Sequence, residues 1–130
     1  MTKLFKFKTF VNNSGTLVPL EINNKFPIKV KRIFFIYGKK NYLRADHAHK
    51  KCSQYFIPIF GKIKLNYMNK KKRGSKVLDF KKREGFLLGP KNWCKVRFIT
   101  NNAILMVLCN RRYEFKDYIE NYNDFLKFIK

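Results

Sequence analysis

The sequence predicts an all-β sandwich or barrel closed by one C-terminal helix. Short runs of alternating or apolar β-type residues recur along the chain, parted by turn signals. Helical periodicity is confined to the C-terminal end. The 130 residues are 45% hydrophobic and 17% aromatic, with 14 Phe and 7 Tyr, which is enough for one real core. No linker, repeat or second domain is visible, so residues 1–130 read as a single domain.

The elements follow in order. Leu4–Val11 alternates apolar residues with Lys, and Asn12-Asn13-Ser14-Gly15 is a turn. Thr16–Ile22 is the next candidate strand, and Ile28–Tyr37 is a long β-rich run. Gly38–Asn41 is a polar break before Tyr42–His49. Gln54–Phe60 and Lys62–Met68 flank Gly61, and Asn69–Ser75 is a Lys-rich hairpin loop. Val77–Phe80 and Gly85–Leu88 precede a Gly89-Pro90 turn. Cys94–Ile99 and Ala103–Cys109 are joined by Thr100-Asn101-Asn102, a hairpin signal. Tyr118, Tyr122, Phe125 and Ile129 recur at spacings of four, three and four, which predicts a helix over about 114–128.

Charge restricts function. Lys+Arg number 30 against 8 Asp+Glu, a formal net charge of +22, which points toward an anionic partner. The aromatic content excludes a disordered basic tail. Lys outnumbers Arg by 23 to 7 and Asn, Ile and Phe are abundant, a bias that an AT-rich genome also produces. The cations are spread along the chain, and no helix-turn-helix, zinc-finger or RNA-recognition signature accompanies them, so a nucleic-acid partner is not expected. Lys70-Lys71-Lys72-Arg73 reads as a solvated hairpin tip. Met1–Phe10 has no signal-peptide core and no run approaches the length of a membrane span. Cys52, Cys94 and Cys109 show no CxxC spacing, so they read as reduced structural thiols of a cytoplasmic protein.

The chemistry-bearing segment is Arg44-Ala45-Asp46-His47-Ala48-His49-Lys50, which holds both histidines of the chain. In a strand, residues i and i+2 share a face, so His47 and His49 project together. After His49 come four residues, Gln54, six residues and Gly61. That spacing resembles the first cupin motif, and Gly89-Pro90 resembles the proline turn of the second, which here lacks its histidine. Two imidazoles and a neutral amide make a poor cage for a tight catalytic metal, so none is expected. Two free imidazoles suit proton transfer near neutral pH. Arg44 is placed to hold a diphosphate or an enolate oxygen, and Tyr37 to supply a phenolic proton. Both tyrosines near the pair, Tyr37 and Tyr42, fit core packing as well.

The chain as a whole resembles the nucleotide-sugar 3,4-ketoisomerases of the FdtA/WxcM-like cupin group. The likeness rests on Pro27–Tyr37, Arg44-x-x-His47-Ala48-His49-Lys50 with Gln54, Phe60-Gly61, Gly89-Pro90 with Trp93, and Tyr113-Glu114-x-x-Asp117-Tyr118-Ile119-x-x-Tyr122-x-x-Phe125. It implies a metal-free, dimeric cupin jelly roll with a C-terminal helix. The activity implied is isomerisation of dTDP-4-keto-6-deoxyglucose to a 3-keto sugar through an enediol, for 3-amino-3,6-dideoxy sugar biosynthesis. It also implies His49 as first choice for the base, His47 beside it, and Tyr37 as a third catalytic group. Arg44, Arg32, Gln54, Lys50 and Trp93 are the expected substrate contacts. The chain departs from the family at Ser14, where an arginine is common, at Cys94-Lys95 after Trp93, and at Asp46. Those departures leave a second reading open, a sugar-nucleotide-binding cupin module without catalysis.

Overall fold

The computed structural model describes residues 1–130. Its elements are β1 (Thr2–Lys6), β2 (Phe10–Asn12), β3 (Gly15–Leu17), β4 (Arg32–Tyr37), β5 (Leu43–His49), β6 (Gln54–Phe60), β7 (Lys62–Met68), β8 (Arg73–Asp79), β9 (Glu84–Leu88), β10 (Trp93–Phe98), β11 (Ile104–Cys109), β12 (Tyr118–Ile119) and α1 (Tyr122–Phe128). Two five-stranded antiparallel sheets, ordered β1-β9-β6-β11-β4 and β12-β5-β10-β7-β8, face each other as a jelly roll of the cupin type. β2 and β3 form a separate hairpin.

Strand alternation builds the core. On β10, Cys94, Val96 and Phe98 are buried between the sheets while Lys95 and Arg97 are exposed. They meet Ile63 and Leu65 from β7, Phe56 from β6, and Leu105 and Val107 from β11. A second cluster lies on the outer side of the first sheet, where the segment between β3 and β4 lays Leu20, Phe26 and Ile28 over Tyr55, Ile57 and Leu108. A third puts Phe125 of α1 against Ala48, Trp93 and Ile119. Gly61 turns β6 into β7 with φ +78°, and a Cβ there would collide with the Thr100 side chain.

β6 and β7 have the bounds that the sequence predicts. β8 begins at Arg73, inside the loop predicted over Asn69–Ser75, because its pairing with β7 runs down to Met68. Three other elements differ. The first predicted strand splits: the Phe7 amide continues the β1–β9 register by donating to the Arg83 carbonyl at 2.8 Å, and strand pairing resumes only at Phe10, in the β2–β3 hairpin. Val18–Ile22 and Ile28–Lys31, predicted as parts of two strands, join residues 23–27 as the apolar cover over the first sheet, so β3 ends at Leu17 and β4 starts at Arg32.

The predicted helix over 114–128 is the third correction. Phe115–Asp117 is a 3-10 turn, and Tyr118–Ile119 pairs with β5, placing Tyr118 opposite His49 and Ile119 opposite Ala48. Only then does Asn121 cap α1, its side chain accepting from the Asp124 amide at 3.0 Å. Tyr118 shares the four-three-four spacing but belongs to the strand, where pairing satisfies its backbone.

Candidate active site

One end of the barrel interior gathers the unusual polar side chains. The register explains why. On β5, His47 lies opposite Cys94 and His49 opposite Tyr118, and both rings turn inward as their i, i+2 spacing predicts. A bulge just upstream, with left-handed backbone at Ala45 (φ 69°) and Asp46 (φ 61°), re-aims the strand ahead of the pair. The His47 and His49 ring centroids are 5.0 Å apart, and Tyr118 packs against both, at 4.9 and 4.3 Å.

His49 is held from behind. Its Nδ1 lies 3.0 Å from Oδ2 of Asp117, which is also buried. The same carboxylate accepts the backbone amides of Lys51 (2.8 Å) and Cys52 (3.2 Å). A carboxylate bound to two amides has its position and acceptor role fixed, so His49 Nδ1 carries the proton and donates it. That leaves Nε2 with a free lone pair, and Nε2 is buried with no protein partner. His49 as a whole is only 7% exposed.

Electrostatics keep both rings neutral. Burial pushes the His47 pKa down to about 4, and the nearby His49 adds to that. Burial also lowers His49, against the pull of Asp117, so desolvation outweighs the carboxylate. The His49–Asp117 contact is therefore a hydrogen bond of a neutral imidazole at pH 7. The cation of the cluster is Arg32, whose Nη1 lies 3.5 Å from the Tyr118 hydroxyl and whose guanidinium rests on the rings of Phe34 and Tyr113. Gln54, buried on β6, points its amide nitrogen at Cys109 Sγ, 3.8 Å away.

The structure thus joins four of the sequence candidates, His47, His49, Arg32 and Gln54, and separates four others. Tyr37 is 75% exposed. On β4, Arg32, Phe34 and Ile36 turn inward, so by strand parity Tyr37 turns out, at the far end of the strand from Arg32. Arg44 is exposed ahead of the bulge, whereas Arg32 lies beside the Tyr118 hydroxyl. Lys50 is exposed too, and its contribution is its backbone amide, which donates to the Asp117 carbonyl at 2.9 Å. Trp93 lies on the outer face under α1, ring to ring with Tyr122 and Phe125, and its Nε1 donates to Asp46 Oδ1 at 3.1 Å. There it packs with Ala48, Ile119 and Phe125, on the other side of the sheet from the histidines. Two open clefts, near 670 and 680 Å³, have neither histidine in their walls.

Two site residues escaped the sequence argument as site residues. Asp117 and Tyr118 lie in the tail motif, where the helical spacing assigned them to a helix. No local signal marked them: the Tyr118-Ile119 strand and the burial of Asp117 beside it appear only once that segment pairs with β5.

The class that fold and site define is a cupin barrel whose inner end carries an aspartate-bound imidazole with a free nitrogen, a second neutral imidazole, a phenol and a guanidinium, and no three-histidine cage. The chain belongs to the WxcM-like, C-terminal family (FdtA), whose model matches residues 1–130. It is 30% identical over 128 residues to the TDP-4-oxo-6-deoxy-alpha-D-glucose-3,4-oxoisomerase of Aneurinibacillus thermoaerophilus, covering 98% of this chain and 91% of that one. Among solved structures, it superposes with TM-score 0.91 and 28% identity on a histidine-to-asparagine mutant of the 3,4-ketoisomerase QdtA from Thermoanaerobacterium thermosaccharolyticum in complex with TDP-4-keto-6-deoxyglucose, covering 98% of this chain and 93% of that one. A 3,4-ketoisomerase from Helicobacter canadensis gives TM-score 0.91 at 29% identity, covering 98% and 96%. The RmlC epimerase of Mycobacterium tuberculosis, at 14% identity and TM-score 0.79, shares the fold, covering 90% of this chain and 66% of that one.

Proposed function

We propose that this chain is a 3,4-ketoisomerase that converts TDP-4-keto-6-deoxyglucose to the 3-keto isomer. The observation that carries the reading is the free, buried Nε2 of His49, backed through Nδ1 by Asp117. C3 of the substrate is acidic because it lies α to the C4 ketone. His49 Nε2 takes the C3 proton, and the pair of electrons moves to O4 as an enediolate forms. Asp117 steadies the imidazolium that results. The enediolate O4 takes up a proton and keeps it as the product's C4 hydroxyl, the O3 hydroxyl gives up its proton as the C3 ketone forms, and the proton taken from C3 returns at C4. Nothing is gained or lost overall.

His47 and Tyr118 border the same space and are the groups for the oxygen-to-oxygen proton transfer. Arg32, beside the Tyr118 hydroxyl, stabilises the developing enediolate charge. Incubation with the substrate in D₂O is the test. Deuterium at C3 or C4 with a 3-keto product is expected from the wild type, and tight ligand binding without exchange would favour the binding-module reading instead.

The working unit we propose is a cytoplasmic homodimer. Ile33, Phe35 and Tyr37 stand exposed in a row on the outer face of β4, an edge strand, with exposed Ile59 on the same sheet. An uncovered apolar edge of this kind favours pairing with a second copy. Phe35→Glu should shift sedimentation from dimer to monomer.

A further inference from the structure

We propose that His49, Cys52, Cys109 and Asp117 form an inhibitory site for a thiophilic divalent cation, of which Zn²⁺ is the type. The proposal rests on the reading of His49 as the base.

The donor atoms of His49, Cys52 and Asp117 all lie within 4.8 Å of one another. Cys109 is the neighbouring candidate for a fourth ligand. It is opposite Gln54 in the β6–β11 register, two residues on from Cys52, and is close enough for the two thiols to influence one another. All four side chains are buried. Two sulfurs, one imidazole nitrogen and one carboxylate oxygen are a zinc donor set, with Zn–S near ~2.3 Å and Zn–N near ~2.0–2.1 Å. Hydrogen-bonded donors of this kind are about as far apart as neighbouring ligands on a tetrahedral ion, and His49 Nδ1 and Asp117 Oδ2 are 3.0 Å apart. The carboxylate is already oriented by the Lys51 and Cys52 amides, the outer support that bound metals use. The chain spacing hides the site, because β5, the loop after it, β11 and the 3-10 turn each bring one donor.

The consequence for catalysis follows from the tautomer. A cation binds the Nδ1 lone pair, so the ring proton moves from Nδ1 to Nε2 and the imidazole stays neutral. Each thiol that becomes a ligand releases one proton to solvent, and no oxidation state changes. Nε2 is then an N–H donor and has no lone pair for the C3 proton. The metal inhibits without entering the substrate space.

Co²⁺ is the probe, added to purified protein stripped with chelator. One equivalent should give the intense visible bands of four-coordinate cobalt with a near-ultraviolet thiolate charge-transfer band, and Zn²⁺ should bleach both. Cys52→Ser should lose the charge-transfer intensity and bind cobalt more than ~10-fold more weakly. Cys109→Ser, a second variant should the first not fold, should do the same. In turnover, Zn²⁺ should inhibit the wild type, EDTA should restore it, and Cys52→Ser, measured against its own metal-free rate, should escape inhibition. A cobalt spectrum still that of the free aqua ion overturns the proposal, as does unchanged cobalt binding in both serine variants. If ketoisomerase activity is absent altogether, the cobalt spectrum still decides the site, so the two failures are separable.

Discussion

On β5 and β12, adjacent residues face opposite environments. His49 and Tyr118 look into the barrel; Ala48 and Ile119, one residue away on each strand, look out at α1. The outer set is dry and closed. Phe125 is fully buried against Ala48, Trp93 and Ile119, and the one polar atom there, the indole nitrogen, is bonded to Asp46. The inner set is polar and incomplete. Its rings touch, its carboxylate is anchored, and His49 Nε2 has no partner. The same backbone ladder carries both, so the outer face supplies rigidity that the inner face, with its desolvated imidazoles, does not. Mutations on the two faces should therefore separate chemistry from stability.

The largest separation is expected from His49→Asn. Loss of the positioned base should lower kcat by about 10²–10⁴-fold. Asn keeps a polar group within reach of Asp117, so the Tm should move little. A variant that turns over at the wild-type rate would remove His49 as the base.

Next comes the outer face. Phe125→Ala leaves a cavity in a closed cluster and should cost about 3–5 kcal/mol of stability. Chemical denaturation measures it. The folded fraction should keep its kcat, since no inner group is touched; a proportionate fall in kcat would show that the helix tunes the site directly.

How far these faces were legible differs for a physical reason. β6, β7 and the inward pairing of His47 with His49 follow from period-two alternation, which is a local property of the chain. Parity also decided Tyr37, since counting from Arg32 along β4 puts it outside, yet the start of the strand was needed first. The long β-rich run from Ile28 concealed that start, because residues that cover a sheet are as apolar as those within it. Asp117 was hidden by a coincidence of spacing. Tyr118, Tyr122 and Phe125 fit one helical stripe, but only the latter two are on the helix. Nothing local distinguishes a two-residue strand, whose existence depends on its partner β5.

Asp117→Asn tests the link behind the inner face. The amide donates where the carboxylate accepted, which favours the proton on Nε2 and removes its lone pair. Turnover should fall by about 10–10³-fold with KM little changed, the pattern of a wrong tautomer rather than of lost binding. Equal losses in kcat and in substrate affinity would point to a collapsed site instead.

The smallest effect is a pH dependence, and it separates the faces without a cavity. His47 has its pKa lowered to about 4 by burial, then by His49, whereas in the unfolded chain a histidine titrates near ~6.5. The unfolded state therefore binds the proton first. The stability is complete above about pH 6.5 and is lost as the pH falls toward 4. The wild-type Tm should decline through that window, and His47→Gln, which has no proton to take up, should decline less. Phe125→Ala should lower the Tm by a similar amount at both ends of the window, because the side chain it removes carries no proton. The rate should follow the inner face. His49 is lowered too, so the base form persists and the acid limb of kcat/KM should fall below pH ~6.5. An acid limb at or above that value would mean that the reacting imidazole is solvated, and that the barrel interior does not set its basicity.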